Sequence, residues 1–176
     1  MKYVLIFVAI LSLPIIASAA EDTLILDRCV ILNSEDNQAA ESKIALHFPL
    51  PEDLTGKEIQ YAELSFQLPS MSLDIDSLYE ITFCPCLANW SDDDITYDNS
   101  QTLTDSLSSG SFIKKLGDEN ELHVDLTQYL VQVNEGQRQN YGLIGLTDLL
   151  GDGNLRLPDN LGETLRGQAR IRVVYK

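Results

Sequence analysis

Trp90-Ser91-Asp92-Asp93-Asp94-Ile95-Thr96-Tyr97-Asp98-Asn99 is the stretch on which the fold turns. It begins at the chain's single tryptophan, passes through three consecutive acids and returns to apolar Ile95. The pattern predicts a tryptophan anchor, an acidic turn and a short strand closing on an Asp-Asn turn. On its N-terminal side, Leu78 to Leu87 reads as a strand with Tyr79, Ile81 and Phe83 on one face. Pro85 cannot donate to a β-ladder, so that strand end is expected at an edge or a bulge. On its C-terminal side, Gln101 to Gly110 is rich in Ser and Thr and reads as a loop.

Further out, short apolar-alternating runs dominate. Gln60 to Leu68 places Ala62, Leu64, Phe66 and Leu68 on one face and Tyr61, Glu63, Ser65 and Gln67 on the other, the split a half-buried strand needs. Thr23 to Leu32, Lys43 to Leu50, Gly142 to Thr147 and Ala169 to Tyr175 read as further strands. One helix is predicted: Leu126, Tyr129, Leu130 and Val133 make an apolar stripe, with Asp125 as N-cap and Gly136 as its stop. Leu149 to Gly162 reads as a loop. The runs together predict an all-β sandwich or barrel in one domain.

Four segments, in order, resemble the DNRLRE domain family, which overlaps carbohydrate-binding module family 96. They are Phe48-Pro49-Leu50-Pro51 with Ile59 and Tyr61-Ala62-Glu63-Leu64; the Trp90 segment; Asp125-Leu126-Thr127 to Gly142; and Ala169 to Tyr175. The chain departs from the family pattern where Tyr97 replaces a tryptophan, Asp92 to Asp94 replace a single Glu, and no proline follows Asn99. The resemblance implies an antiparallel β-sandwich of jelly-roll type with one short helix. It also implies a secreted, non-catalytic domain that binds carbohydrate, a polysaccharide foremost. The alternatives are a structural or adhesive subunit of an extracellular assembly and a small secreted polysaccharide-active enzyme.

Trp90 is expected to be a structural anchor with its indole N–H satisfied by a carbonyl, in preference to a sugar-stacking platform. Tyr97, Arg170 and Arg172 are the candidate ligand-binding residues. Arg170 and Arg172 belong to a basic stripe with Arg166 and Lys176, whose expected role is cross-strand pairing with acids. Asp92, Asp93, Asp94 and Asp98 place four carboxylates near one turn. A solvated acidic turn is the simpler reading, and any metal held there would be a structural calcium, bound through oxygen alone. Asp152 is a weaker candidate of the same kind. No catalytic motif of the G-x-S-x-G, H-E-x-x-H or P-loop type occurs.

The composition sets outer limits. Lys2, an apolar run from Tyr3 to Ile16 and Ala17-Ser18-Ala19 form a secretory leader, so residues 1–19 are expected to be cleaved and residues 20–176 exported as one domain. The apolar core is too short for a comfortable membrane span. A net charge of −15 disfavours nucleic acid and anionic lipid as partners, and favours a neutral glycan over a uronate-rich one. The three cysteines allow one disulfide in an oxidising compartment. Cys84 and Cys86 lie at the distance limit for a mutual bridge in a strand, roughly 6.5–7 Å. Cys29 with Cys84 or Cys86 is therefore the expected pair.

Overall fold

The computed structural model describes residues 19–35, 41–68, 78–105, 110–115, 121–150 and 156–176. The leader through residue 18, Asp152 and parts of the expected loops lie outside the described residues. The strands are β1 (Ala20–Ile25), β2 (Arg28–Asn33), β3 (Ser42–His47), β4 (Ile59–Gln67), β5 (Leu78–Pro85), β6 (Gly110–Lys115), β7 (Glu121–Asp125), β8 (Leu143–Leu150) and β9 (Arg170–Tyr175). Three short helices accompany them: α1 (Tyr97–Leu103), α2 (Thr127–Asn134) and α3 (Leu161–Gln168). Two antiparallel sheets form, a four-stranded one in the order β1-β9-β4-β7 and a five-stranded one in the order β2-β3-β8-β5-β6.

Their apolar faces meet in one sandwich-like core. Leu64, Phe66, Ile171 and Val173 come from the four-stranded sheet; Ile44, Leu46, Ile81 and Phe83 come from the five-stranded one. Phe66 and Phe83 meet edge to face across it, with ring centroids 6.2 Å apart, within the range that aromatic pairs prefer. The period-2 alternation of β4 and β9 therefore holds: Ala62, Leu64, Ile171 and Val173 are fully buried. The apolar stripe of α2 holds too. Leu126, Tyr129 and Leu130 are buried, the Asp125 carboxylate accepts from Thr127 N at 2.8 Å, and Gly136 stops the helix at φ +71°.

Four expectations are corrected. Thr23 to Leu32 is not one strand: β1 and β2 join different sheets, and Asp27 makes the corner by donating its N–H to the His47 carbonyl. Tyr97 begins a helix instead of a strand, because Thr96 caps it: its side chain accepts from Asn99 N while the Asn99 side chain accepts from Thr96 N, a reciprocal box that satisfies two free donors. Leu161 to Gln168 is helical, so the described residues hold three α-helices where one was expected. A strand, β6, occupies residues 110–115, with its start in the stretch read as loop. The Pro85 end of β5 is an edge as expected: β5 is interior to its sheet, but β6 ends its pairing at Phe83 and leaves no ladder partner for the missing N–H.

Glycine explains how α3 reaches its place. A Cβ on Gly162 would come within 2.8 Å of the Cys29 carbonyl, so only glycine lets α3 lie this close to β2. Gly142 is the second such position. Its φ is +89°, and a Cβ there would stand 2.3 Å from the Leu46 carbonyl. Both contacts are far inside van der Waals distance.

Candidate functional site

β3 reads Ser42-Lys43-Ile44-Ala45-Leu46-His47 and is buried on both faces. One face enters the main core. The other, carrying Lys43 and Ala45, needs a separate cover. The chain from Cys86 to Asp105 supplies it. Leu32, Ala45 and Ile144 of the sheet are buried beneath Trp90, Ile95 and Cys86, a second apolar cluster on the outer face of the five-stranded sheet.

Trp90 fixes this cover. It is 4% exposed, its Nε1 donates to the Tyr141 carbonyl at 2.8 Å, and the Arg28 guanidinium sits 4.6 Å above its ring. Arg28 Nη1 also donates to the Trp90 carbonyl. With one ring face under a guanidinium and the rest in the cluster, the indole has no free face for a sugar.

The acidic turn is consumed locally. Ser91 Oγ donates to Asp94 at 2.5 Å, and Asn99 Nδ2 donates to the Asp94 carbonyl at 2.7 Å. Asp92 pairs with Arg166 of α3 at 2.9 Å. Asp98 lies in the first turn of α1, where a carboxylate favours the helix dipole. Two of the four carboxylates expected at one turn thus have partners of their own, Asp93 is exposed in the turn, and the described residues contain no cluster of three or more His, Cys, Asp or Glu able to hold a metal ion.

The disulfide expectation is overturned. All three cysteines are free and buried. Cys29 pairs in register with Leu46, Leu46 with Leu143, and Leu143 with Pro85. Cys29 therefore stands three strands from the Cys84–Cys86 segment, about 14 Å away, more than twice a disulfide's Cα separation. The faces differ as well: Cys29 belongs to the main core and Cys86 to the second cluster. Burial pushes the Cys29 and Cys86 thiols up to about 12.

Where the cover ends, a groove of about 680 Å³ opens on the same face, within the size range of small-ligand sites. Lys43, Thr82 and Cys84 line it from the strands; Tyr97, Gln101 and Asp105 line it from α1 and the segment after it; Glu41 stands just before β3. Lys43 is 6% exposed. Its Nζ donates to the Tyr97 carbonyl at 3.0 Å and to Ser100 Oγ at 3.0 Å, and lies 3.9 Å from the Tyr97 ring centroid. Burial lowers its pKa from the usual lysine value, opposed by the charges of Glu41 and Asp98. The Tyr97 hydroxyl donates to Glu41; burial, then this bond, pushes it up to about 12. Asp105 is paired with Arg138 at 2.8 Å.

Of the candidate binding residues, only Tyr97 lines this groove. Arg170 and Arg172 are on the four-stranded sheet. Arg170 donates to the carbonyls of Ala169 and Gly167, each at 2.8 Å. Arg172 pairs with Glu21 of the neighbouring strand β1 at 2.9 Å. Lys43, Glu41 and Gln101 escaped the sequence reading. The signal that could have found Lys43 is a lysine directly against the apolar run Ile44-Ala45-Leu46, in a strand buried on both faces. The histidines are each tied to one carboxylate: His47 to Asp27 at 2.6 Å and His123 to Glu63 at 3.1 Å.

No family model matches this chain, and no curated protein matches it. Among the described residues no helix is long and apolar enough to cross a membrane.

Proposed function

We propose that the protein is a non-catalytic carbohydrate-binding domain, a β-sandwich of jelly-roll type exported behind residues 1–19, that takes a glycan chain into the groove beside Tyr97. The likeness of its four segments to the DNRLRE family supports this reading. The observation that carries it is the groove's lining: a partly buried aromatic ring, side-chain hydroxyls, an amide, an ammonium and carboxylates around about 680 Å³. A sugar presents apolar C–H faces beside hydroxyls that both donate and accept, and such a mixture of partners suits it.

The test is a glycan array on residues 20–176, followed by a reducing-end assay on each bound polysaccharide. Retention of a glycan without release of reducing ends is the expected result. Release of reducing ends would make the protein an enzyme. Concentration-dependent assembly with a blank array would make it a structural subunit.

A further inference from the structure

Lys43 and Glu41 are two residues apart and so project to one side of the β3 segment. Tyr97 joins them into one unit. Its carbonyl takes one Lys43 N–H, its ring lies 3.9 Å from the ammonium, and its hydroxyl donates to Glu41. Ser100, fully buried, takes a second Lys43 N–H. An ammonium has three donors; oxygens take two of them, and Lys43 lines the groove. Glu41 keeps acceptor capacity as well, because a carboxylate has about four lone-pair sites and Tyr97 uses one. The unit therefore offers a ligand one charged donor and one charged acceptor, side by side, held by a common clamp.

We propose that Lys43 and Glu41 are the specificity-determining pair of the groove and read adjacent hydroxyls of a neutral hexopyranose chain. Lys43 Nζ donates to one hydroxyl oxygen, and the Glu41 carboxylate accepts from the neighbouring hydroxyl. This rests on the glycan-binding reading above. Neighbouring hydroxyls satisfy both groups at once, since each hydroxyl donates and accepts. A uronate would satisfy Lys43 but meet the charge of Glu41, in a chain of net charge −15; an amino sugar would satisfy Glu41 but meet Lys43. Hydrogen bonds made by a desolvated ammonium are stronger than those made in water, and Lys43 is nearly out of water already.

The experiment is calorimetric titration of residues 20–176 with a neutral hexaose found on the array and with a hexauronate. Wild type is expected to bind the neutral hexaose and not the uronate. Glu41→Gln should weaken the neutral hexaose about tenfold, the loss of one charge-assisted hydrogen bond, and strengthen the uronate. Lys43→Met should weaken the neutral hexaose by a similar factor. Glu41 is exposed, so its variant carries the test even if Lys43→Met unsettles α1. Preference for the uronate overturns the proposal. So does an unchanged affinity for the neutral hexaose in Glu41→Gln, which leaves glycan binding in place but moves the ligand elsewhere. Failure to bind any glycan removes the functional reading and the pair's role together.

Discussion

The two outer faces of the sandwich solve opposite problems. On the four-stranded sheet, Arg172 stands in register between Thr23 and Glu63, and Glu63 beside Asp125. Charges there settle among themselves: Arg172 with Glu21, His123 with Glu63, and the Tyr61 hydroxyl with Glu63 at 2.5 Å. On the five-stranded sheet the corresponding positions are Leu32, Ala45, Ile144 and Lys43, and a loop and helix must roof them. A strand apolar on one face can stand in water; a strand apolar on both cannot. The roof leaves the groove at its margin, so the same burial demand that created the second cluster also created the candidate site.

The contrast can be broken most severely at Trp90. Trp90→Ala should cost about 3–5 kcal/mol, as for large aromatic truncations in any core, measured by urea denaturation. A loss below about 1 kcal/mol would mean that the roof is ornamental and that the two faces are alike.

Alkaline pH tests both cores at once. Cys29 in the main core and Cys86 under the roof have folded pKa values raised to about 12 from an ordinary 9.0. The unfolded state then releases protons first, so the stability these groups contribute is complete below pH 9 and is lost as pH rises towards 12. Each thiol should steepen the decline by up to about 1.4 kcal/mol per pH unit in that window. Cys29→Ala with Cys86→Ala should flatten it, and an unaltered slope would place the thiols in water. A thiol titration should likewise find all three cysteines silent in the native protein and reactive in denaturant.

Smaller effects sharpen the comparison. Asp92→Asn breaks the exposed bridge from the acidic turn to Arg166 of α3 and should cost no more than about 1 kcal/mol. Arg172→Ala, on the bare face, should leave the denaturation midpoint where it was. A larger fall from Arg172→Ala than from Asp92→Asn would show that the open sheet depends on its charge rows.

The parts of the fold legible in the sequence are those where one physical signal acts alone. β4 and β9 alternate because water lies on one side and the core on the other, and α2 shows its 3.6-residue stripe for the same reason. The segments misread are those where two signals compete. Leu161 and Leu165 are spaced for a helix, yet Leu161 and Gly162 read as the end of a loop until the closeness of the Cys29 carbonyl shows why residue 162 must lack a side chain. Thr96 to Asn99 closes its cap with an asparagine where a glutamate or glutamine would have announced it. β1 and β2 merge in the sequence because the corner at Asp27 needs neither glycine nor proline. At the candidate site, Tyr97 was visible as an aromatic. Lys43 and Glu41 were not, because their meaning comes from a helix that was itself read as a strand.

The register of β1 carries one more consequence. Ala20 is the partner of Tyr175, so the first and last strands lie side by side with their ends only about 5 Å apart. In a protein made of residues 20–176 alone, a few glycine and serine residues could join Lys176 to Ala20, and new termini could be cut at Gly56, a positive-φ turn with open space around it. Such a circular permutant would keep both sheets and the roof intact. It would also place its new ends beside β4, away from the Tyr97 groove, so that a reporter could be fused without touching the site.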